Sequence, residues 1–352
     1  MTEDNFDVIV VGGGSAGLSA ALVLSRARRR VAVIDAGLPR NRFAAHMHGF
    51  LTRDGIPPLE LLELGRAEVE GYGATIVRGR AEEVGGGAGA FSVKVVGAGA
   101  FSVKVVGADG AAGADGAADL DGGTDPDGGT DSDDAAPRIL TARRLVIATG
   151  LTDELPAVPG LAEQWGRGAF ACPYCDGWEN RDSRIAVLAT APQSAHQASL
   201  LRQWSSQVAF IGPQAAGLDA ETRRGFEARG IEIVDTELQE VVADDAGELV
   251  GLRLGDGSVR EFDVLFAGPR MVNNDSLLEQ LGAAKGDAYG DWVASDFTGL
   301  TSVPGVWVAG NTAFPGALVP VAVAAGVMAA TMINADLVAD DTRQAVEAAE
   351  RA

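Results

Sequence analysis

Cys172 and Cys175 are the only cysteines among 352 residues, and they stand as Cys172-Pro173-Tyr174-Cys175 with Asp176 directly after them. Two thiols at this spacing in an otherwise cysteine-free chain point to redox exchange or metal binding rather than to a structural bridge. A closed zinc site needs four ligands. Only His46, His48 and His196 could join the pair, and none has ligand-like spacing. No metal is expected, and the pair reads as redox-active. Thiols in a turn that opens a helix meet the positive end of its dipole, which favours the attacking thiolate.

A second constellation lies near the N-terminus, where Gly12, Gly14 and Gly17 form G-x-G-x-x-G with Ser15 and Ala16 between them. Each glycine answers a geometric need: a tight turn, close approach of a pyrophosphate to the backbone, and contact between helix and strand. The free N–H groups of the helix start then hold the phosphates. Asp35 closes the next apolar run, where its carboxylate can accept from an adenosine ribose hydroxyl. These residues indicate a dinucleotide and leave FAD and NAD undistinguished.

The elements that position these groups follow from the pattern around them. Asp7 to Val11 reads as a strand, Leu18 to Arg26 as a helix and Val31 to Ile34 as a strand, which makes a βαβ unit. Arg143 to Gly150 reads as a strand ending in a tight turn, and Pro156 and Pro159 mark a crossing. A second βαβ-like pattern follows, with strands Arg184 to Leu188 and Gln207 to Ile211 around a helix Ala195 to Trp204. Further strands are expected at Phe262 to Phe266 and Val306 to Ala309, the last leading into an apolar C-terminal helix. The predicted fold is α/β, with two Rossmann-like nucleotide-binding domains, the second inserted into the first. The expected boundaries are 1–152 plus 272–352 for the discontinuous first nucleotide-binding domain and 153–271 for the inserted module carrying the cysteines.

Residues 87–96 recur without change as 97–106, ahead of the Gly/Asp-rich tract 107–136. The duplication suggests tandem slippage in a hairpin. The tract has too few large apolar groups to offset its ordering entropy, so a disordered acidic loop is expected. The net charge is −21, and the nine aspartates of that tract leave −12 for the remainder. Such a surface disfavours nucleic acid, anionic lipid and acidic electron carriers. The acidic N-terminal residues do not resemble a secretory signal, so a cytoplasmic location is expected. Gly316 to Ala335 holds no charge, but its small residues, with Pro320 and Gly326 among them, suggest a buried helix beside a cofactor rather than a membrane span.

The N-terminal fingerprint, Ala148-Thr149-Gly150, Cys172 to Gly177 and Pro304 to Asn311 together, in this order, resemble the low-molecular-weight thioredoxin reductase family, over nearly the whole chain apart from the insert. The resemblance implies FAD as cofactor and a homodimer. It places Gly310 and Asn311 at the ribityl chain, where the family has Gly-Asp; an amide there still bonds a hydroxyl but brings no charge. It places Asn41 and His48 along the isoalloxazine and the Val321 backbone N–H at the ring. For His48 an ordinary partly buried histidine is the competing reading. By the same matching Cys175 faces the flavin, Cys172 exchanges with substrate and Asp176 is the acid/base, against a plain helix-start carboxylate.

The chain departs from that family at the second nucleotide motif, which reads Ala189-Thr190-Ala191-Pro192-Gln193-Ser194 and has no glycine. Methyl groups there hold a pyrophosphate off the backbone, and Pro192 removes a donor. Gly212-Pro213-Gln214, after the next strand, lacks the arginines that grip a 2′-phosphate. Productive NADPH binding is not expected. The run Cys172 to Glu179 resembles a subgroup that includes dithiol oxidases of the gliotoxin and holomycin type. Three functions stay open: a dithiol oxidase passing electrons from a small-molecule dithiol through FAD to molecular oxygen; a disulfide reductase for a thioredoxin-like protein, fed by NADPH or another donor; and a flavin-bearing redox sensor without turnover. For the first, Cys172 is expected to be reachable while Cys175 faces the flavin.

Overall fold

The computed structural model describes residues 5–97, 105–106, 137–191, 193–286 and 289–352. The acidic tract 107–136, most of the second repeat copy and Pro192 lie outside the described residues.

The first sheet is built on the predicted βαβ unit. Asn5–Val11 runs parallel to Val31–Asp35 on one side and to Arg138–Ile147 on the other. Thr75–Arg78 extends the sheet beyond Val31–Asp35, and Val306–Val308 pairs in parallel with Arg138–Ile147. The stretches Val8 to Val11, Val31 to Ile34 and Leu145 to Ile147 within these strands are continuous apolar runs and are buried, as expected where both faces of a sheet are covered. The hairpin Arg80–Gly87 and Ala90–Val96 completes the sheet, so the first repeat copy lies at its tip and second strand.

The second sheet has the order Ile231–Val234, Gln207–Ile211, Arg184–Leu188, Val264–Ala267, Ala169–Phe170, all parallel. The strands at 184–188 and 207–211 fall where the sequence places them. The intervening helix is Gln193–Leu201, shifted toward its N-terminus from the expected 195–204, because Ser194 and Ala191 close its first turn. An antiparallel meander of Leu238–Ala243, Leu249–Leu254 and Val259–Glu261 stands beside this sheet.

The chain passes between the two sheets twice, along Leu151–Pro156 and back along Arg270–Asn273. These segments pair antiparallel, with Thr152 opposite Val272 and Asp153 opposite Met271. The sequence-derived boundaries thus lie opposite each other on this ribbon.

The C-terminal helix, Val319–Arg351, corrects one expectation. It is long and apolar enough to cross a membrane by length and composition, yet only 28% of its apolar window is buried. One face, Gly326, Ala329, Ala330, Ile333 and Leu337, packs on the first helix, Ser15–Arg26. Gly326 permits the crossing, since a Cβ there would lie 2.0 Å from the Ala16 carbonyl oxygen. Val321, Met328, Met332 and Val338 point outward and are exposed. The segment is therefore one-sided rather than buried.

Candidate active site

The glycine turn meets the three geometric needs separately. Gly12 has φ +112°, and a Cβ on it would lie 2.3 Å from the Ala148 carbonyl oxygen. A Cβ on Gly17 would lie 1.9 Å from the Gly12 carbonyl oxygen. Gly14 is different: a Cβ there would meet nothing within 4 Å. This open space lies at the start of helix Ser15–Arg26, which has no side-chain cap and no acidic residue in its first turn. The orphan N–H groups of Ser15, Ala16 and Gly17 form an anion cradle. Gly13, which the fingerprint leaves unspecified, is also constrained, because a Cβ would lie 2.2 Å from the Asp35 carboxyl carbon.

Asp35 accepts from the Gly37 N–H at 2.8 Å and lies 3.2 Å from the Arg66 guanidinium. A carboxylate offers about four acceptor positions, so capacity for a ribose hydroxyl remains. Gly310, at φ +69°, packs on Ala16, with a Cβ only 2.8 Å from that methyl group. Asn311 donates from Nδ2 toward the carbonyls of Phe314, Pro315 and Ala317 at 3.2, 2.9 and 3.1 Å, and its Oδ1 carries no bond among the described residues. Leu318 caps the last helix without a side-chain bond, so the Val321 N–H in the first turn remains a free donor. The Asn41 carbonyl accepts from the Ala44 N–H at 3.1 Å, and its side-chain amide carries no bond among the described residues. An open phosphate cradle, a ribose acceptor and several free donors and acceptors fit a bound dinucleotide such as FAD.

The thiols are carried by a single helical turn, Pro173–Asp176, with Cys172 as its N-cap and Pro173 at the first position. Proline suits that position because its missing N–H would have no partner anyway. The Cys172 carbonyl accepts from the Cys175 and Asp176 N–H groups, both at 3.1 Å. Below the turn, Gln197 donates to the Ala171 carbonyl at 2.7 Å, and Gly177 abuts Trp204. Tyr174 and Trp178 are exposed beside it.

Both cysteines carry free thiols and are partly exposed. The hydrogen bond from the Cys175 thiol is the main cause that pulls Cys172 down to about 6; the N–H groups of Cys175 and Tyr174 and the Arg40 charge assist against burial. The same bond, with burial and the charges of Cys172 and Asp176, pushes Cys175 upward. Asp176 is raised to about 7, first by burial and then by the negative charges of Cys172 and Glu179; His48 opposes this. Chemically, a thiol drawn down in this way can serve as nucleophile and leaving group while its partner keeps its proton, and a carboxyl raised to about 7 adjoins them in the chain.

His48 lies between the two modules. Its Nδ1 is 3.2 Å from Asp54 Oδ2 and its Nε2 is 3.4 Å from Glu179 Oε1. Three residues the sequence reading did not single out belong to this centre: Glu179, Asp54 and Arg40. Arg40 makes a two-bond pair with Asp153 of the crossing ribbon at 2.7 and 2.8 Å. Glu179 stands three residues after Asp176, a helical spacing that could have flagged it. Nothing local marks Arg40 or Asp54.

At the second module the Thr190–Ala191 turn is closed by its own bonds. Ser194 N–H donates to the Ala191 carbonyl at 2.9 Å, and Ala191 N–H reaches Ser194 Oγ at 3.3 Å. The Gln214 amide donates to the Thr190 carbonyl at 2.7 Å, across the gap between the two strand ends.

Two parallel-sheet modules joined by an antiparallel ribbon, with a dinucleotide cradle on one and a paired thiol on the other, define an oxidoreductase of the disulfide-exchanging type. The profile of the pyridine nucleotide-disulphide oxidoreductase family matches residues 6–326, and the chain belongs to that family. Thioredoxin reductase sirT of Leptosphaeria maculans is 30% identical, covering 94% of this chain and 93% of the relative. Thioredoxin reductase tcpT of Claviceps purpurea is 29% identical, covering 96% of each. Among solved structures, HlmI superposes with TM-score 0.83 at 40% identity, covering 100% of this chain and 98% of that one. An oxidoreductase from Agrobacterium tumefaciens gives 0.78 at 33% identity, over 95% and 99%. The chain is a thioredoxin reductase-like oxidoreductase of a family that normally binds FAD.

Proposed function

We propose that this protein oxidises a small-molecule dithiol to its disulfide at Cys172 and Cys175, with FAD in the first module and dioxygen as the final acceptor. The observation that carries this reading is the second nucleotide turn, which has no glycine, is closed by Ser194 and is spanned by Gln214. Pyrophosphate binding uses free N–H groups and close backbone approach at a glycine turn, whereas here Ala189 and Ala191 carry methyl groups and the Ser194 N–H is spent on the Ala191 carbonyl. Electrons then arrive from thiols rather than from nicotinamide. The reading takes 153–271 as the thiol-bearing module within a cofactor-holding module of 1–152 and 272–352, in a cytoplasmic homodimer.

Gly12, Gly14, Ser15, Ala16 and Gly17 would hold the pyrophosphate, Asp35 the adenosine ribose, and Gly310 and Asn311 the ribityl chain; Asn41 and the Val321 N–H would border the ring. FAD, when bound, supplies a two-electron acceptor that dioxygen can regenerate, with hydrogen peroxide as product.

The chain's own residues carry the exchange. A substrate thiolate attacks the Cys172 sulfur of the oxidised pair, forming a mixed disulfide and releasing Cys175, whose raised affinity for a proton is met by Asp176. The second substrate thiol gives its proton to the Asp176 carboxylate and attacks the substrate sulfur of the mixed disulfide. Cys172 leaves as a thiolate. A low thiol pKa speeds departure, and Cys172 is drawn down to about 6. Its partial exposure agrees with a small substrate that needs no large domain movement.

The names of the fungal relatives favour a second reading, a disulfide reductase for a thioredoxin-like protein. One anaerobic experiment separates the readings. Oxidised protein is mixed with NADPH in one cuvette and with a dithiol in another, and flavin absorbance is followed. Bleaching by dithiol alone is expected. Rapid bleaching by NADPH overturns the oxidase reading, and bleaching by neither reagent favours a sensor without turnover.

A further inference from the structure

The thiol turn carries two large rings in the open. Tyr174 is 67% and Trp178 63% exposed, and of the five tryptophans in the chain only Trp178 is exposed. Apolar surface of this size costs free energy in water, yet neither ring is loose. Tyr174 packs edge-on against Trp204, with ring centroids 6.1 Å apart. The Arg181 guanidinium covers one face of Trp178 at 4.5 Å from its centroid, and Arg181 is itself anchored by donating to the Trp178 carbonyl at 2.8 Å. Each ring is thus held from one side and open on another.

The backbone sets both rings beside the thiols. Trp178 follows Cys175 by three residues and Tyr174 by four. The Asp176 N–H donates to the Cys172 carbonyl at 3.1 Å and the Gly177 N–H to the Pro173 carbonyl at 2.9 Å, so the stretch is helical, and residues so spaced are neighbours on a helical surface. Tyr174 stands between the two cysteines, and its N–H is among the groups that draw Cys172 down. Pro173 and Gly177 are buried, Gly177 against Trp204, so the turn packs through them and presents the rings outward. Rings already held in place lose little conformational freedom when a flat apolar group settles on them.

We propose that Tyr174 and Trp178 are specificity-determining residues: a pre-formed platform that takes the aromatic or other flat apolar body of a thiol substrate while its sulfur meets Cys172. The inference deepens the dithiol reading and rests on Cys172 as the exchanging thiol. It selects ring-bodied thiols over short aliphatic ones, because the open surface offers carbon contacts that an aliphatic dithiol is too small to use.

The test compares alkylation of Cys172 in reduced holoprotein at pH 7 by N-benzyliodoacetamide and by iodoacetamide, read by fragment-ion mass spectrometry, with N-acetylcysteine giving the ratio of the two rates for a free thiol. The parent ratio is expected to exceed that reference by about fivefold, the size of one aromatic contact. Trp178→Ala and Tyr174→Ala should each lower it, and Trp178→Phe should keep most of it. Iodoacetamide is the reference within each variant, so a change in thiol reactivity common to both reagents cancels, which separates a binding platform from a mere support of the turn. A parent ratio equal to that of N-acetylcysteine, or one that neither alanine variant lowers, overturns the proposal; a fall in either variant supports it and identifies the ring. If Trp178→Ala does not fold, judged by flavin content, the parent ratio and Tyr174→Ala decide the matter. The measurement needs neither substrate, nicotinamide nor dioxygen, so the platform can fail while the bleaching experiment succeeds, and the reverse.

Discussion

The side-chain amide of Asn311 donates to the Pro315 carbonyl at 2.9 Å and also lies within bonding distance of two neighbouring carbonyls. The turn 310–317 is thus built around an amide nitrogen. Asn311→Asp puts a carboxylate in front of three acceptors and removes the donor. Its expected cost is about 1–3 kcal/mol, the usual penalty for leaving buried acceptors unpaired. Thermal melting and flavin stoichiometry check this, and an unchanged melting point with full flavin would count against it.

Gly14 and Gly17 separate cofactor uptake from folding. A Cβ on Gly14 meets open space, while one on Gly17 meets the Gly12 carbonyl oxygen. Gly14→Ala should therefore fold with an unchanged far-ultraviolet spectrum but retain little FAD. Gly17→Ala should lose soluble protein, because the helix can no longer approach the strand.

Reduced protein should show strongly unequal thiols. Cys172, drawn to about 6 chiefly by its bond from Cys175, is expected to react with iodoacetamide at pH 7, whereas Cys175, pushed upward by the same bond and by burial, should remain unmodified. Cys175→Ala removes that bond and moves the Cys172 inflection toward the ordinary thiol range of roughly 8.5. Equal labelling of the two sulfurs would contradict the assignment.

Asp176 gives stability a pH dependence of definite sign. Its pKa is raised from 3.8 to about 7, mainly by burial. A group raised in the folded state contributes stability that is complete below about 4 and is lost as pH rises through about 7. Asp176→Asn, neutral throughout, should match the reduced parent near pH 4 and exceed it at pH 8. Melting temperatures across that range check the difference, and a parent as stable as the variant at pH 8 would refute it.

Arg40 and Asp153 tie the segment after the second strand to the crossing ribbon through a two-bond pair with side chains 29% and 12% exposed. Arg40→Gln strands a largely enclosed carboxylate, and a loss of roughly 1–3 kcal/mol is expected. The same substitution removes a positive charge that favours both thiolates. Its alkylation inflection at Cys172 should therefore rise along with the stability loss. Urea titration and labelling measure the two effects separately.

What could be read in the chain by itself were features that neighbouring residues encode. Glycines spaced at 12, 14 and 17 and cysteines at 172 and 175 specify turns whose geometry depends on a few consecutive residues. Runs of Val, Ile and Leu at 184–188 and 207–211 specify strands because both faces are covered. The loss of glycine at 189–194 was legible for the same reason. The asparagine at 311 was visible, but not the three carbonyls that its amide satisfies.

Only the tertiary structure brought together groups far apart in the chain. Arg40 and Asp153 are separated by 113 positions, and no periodicity links them. His48 of the first module meets Glu179 of the segment after the thiols, an approach that no local pattern announces. The exposed side of Val319–Arg351 was equally hidden, since apolar composition does not say which face another helix will cover. Local sequence fixes backbone shape through sterics and hydrogen bonding. The charge environment of Cys172 depends on distances that exist only once the two sheets have packed.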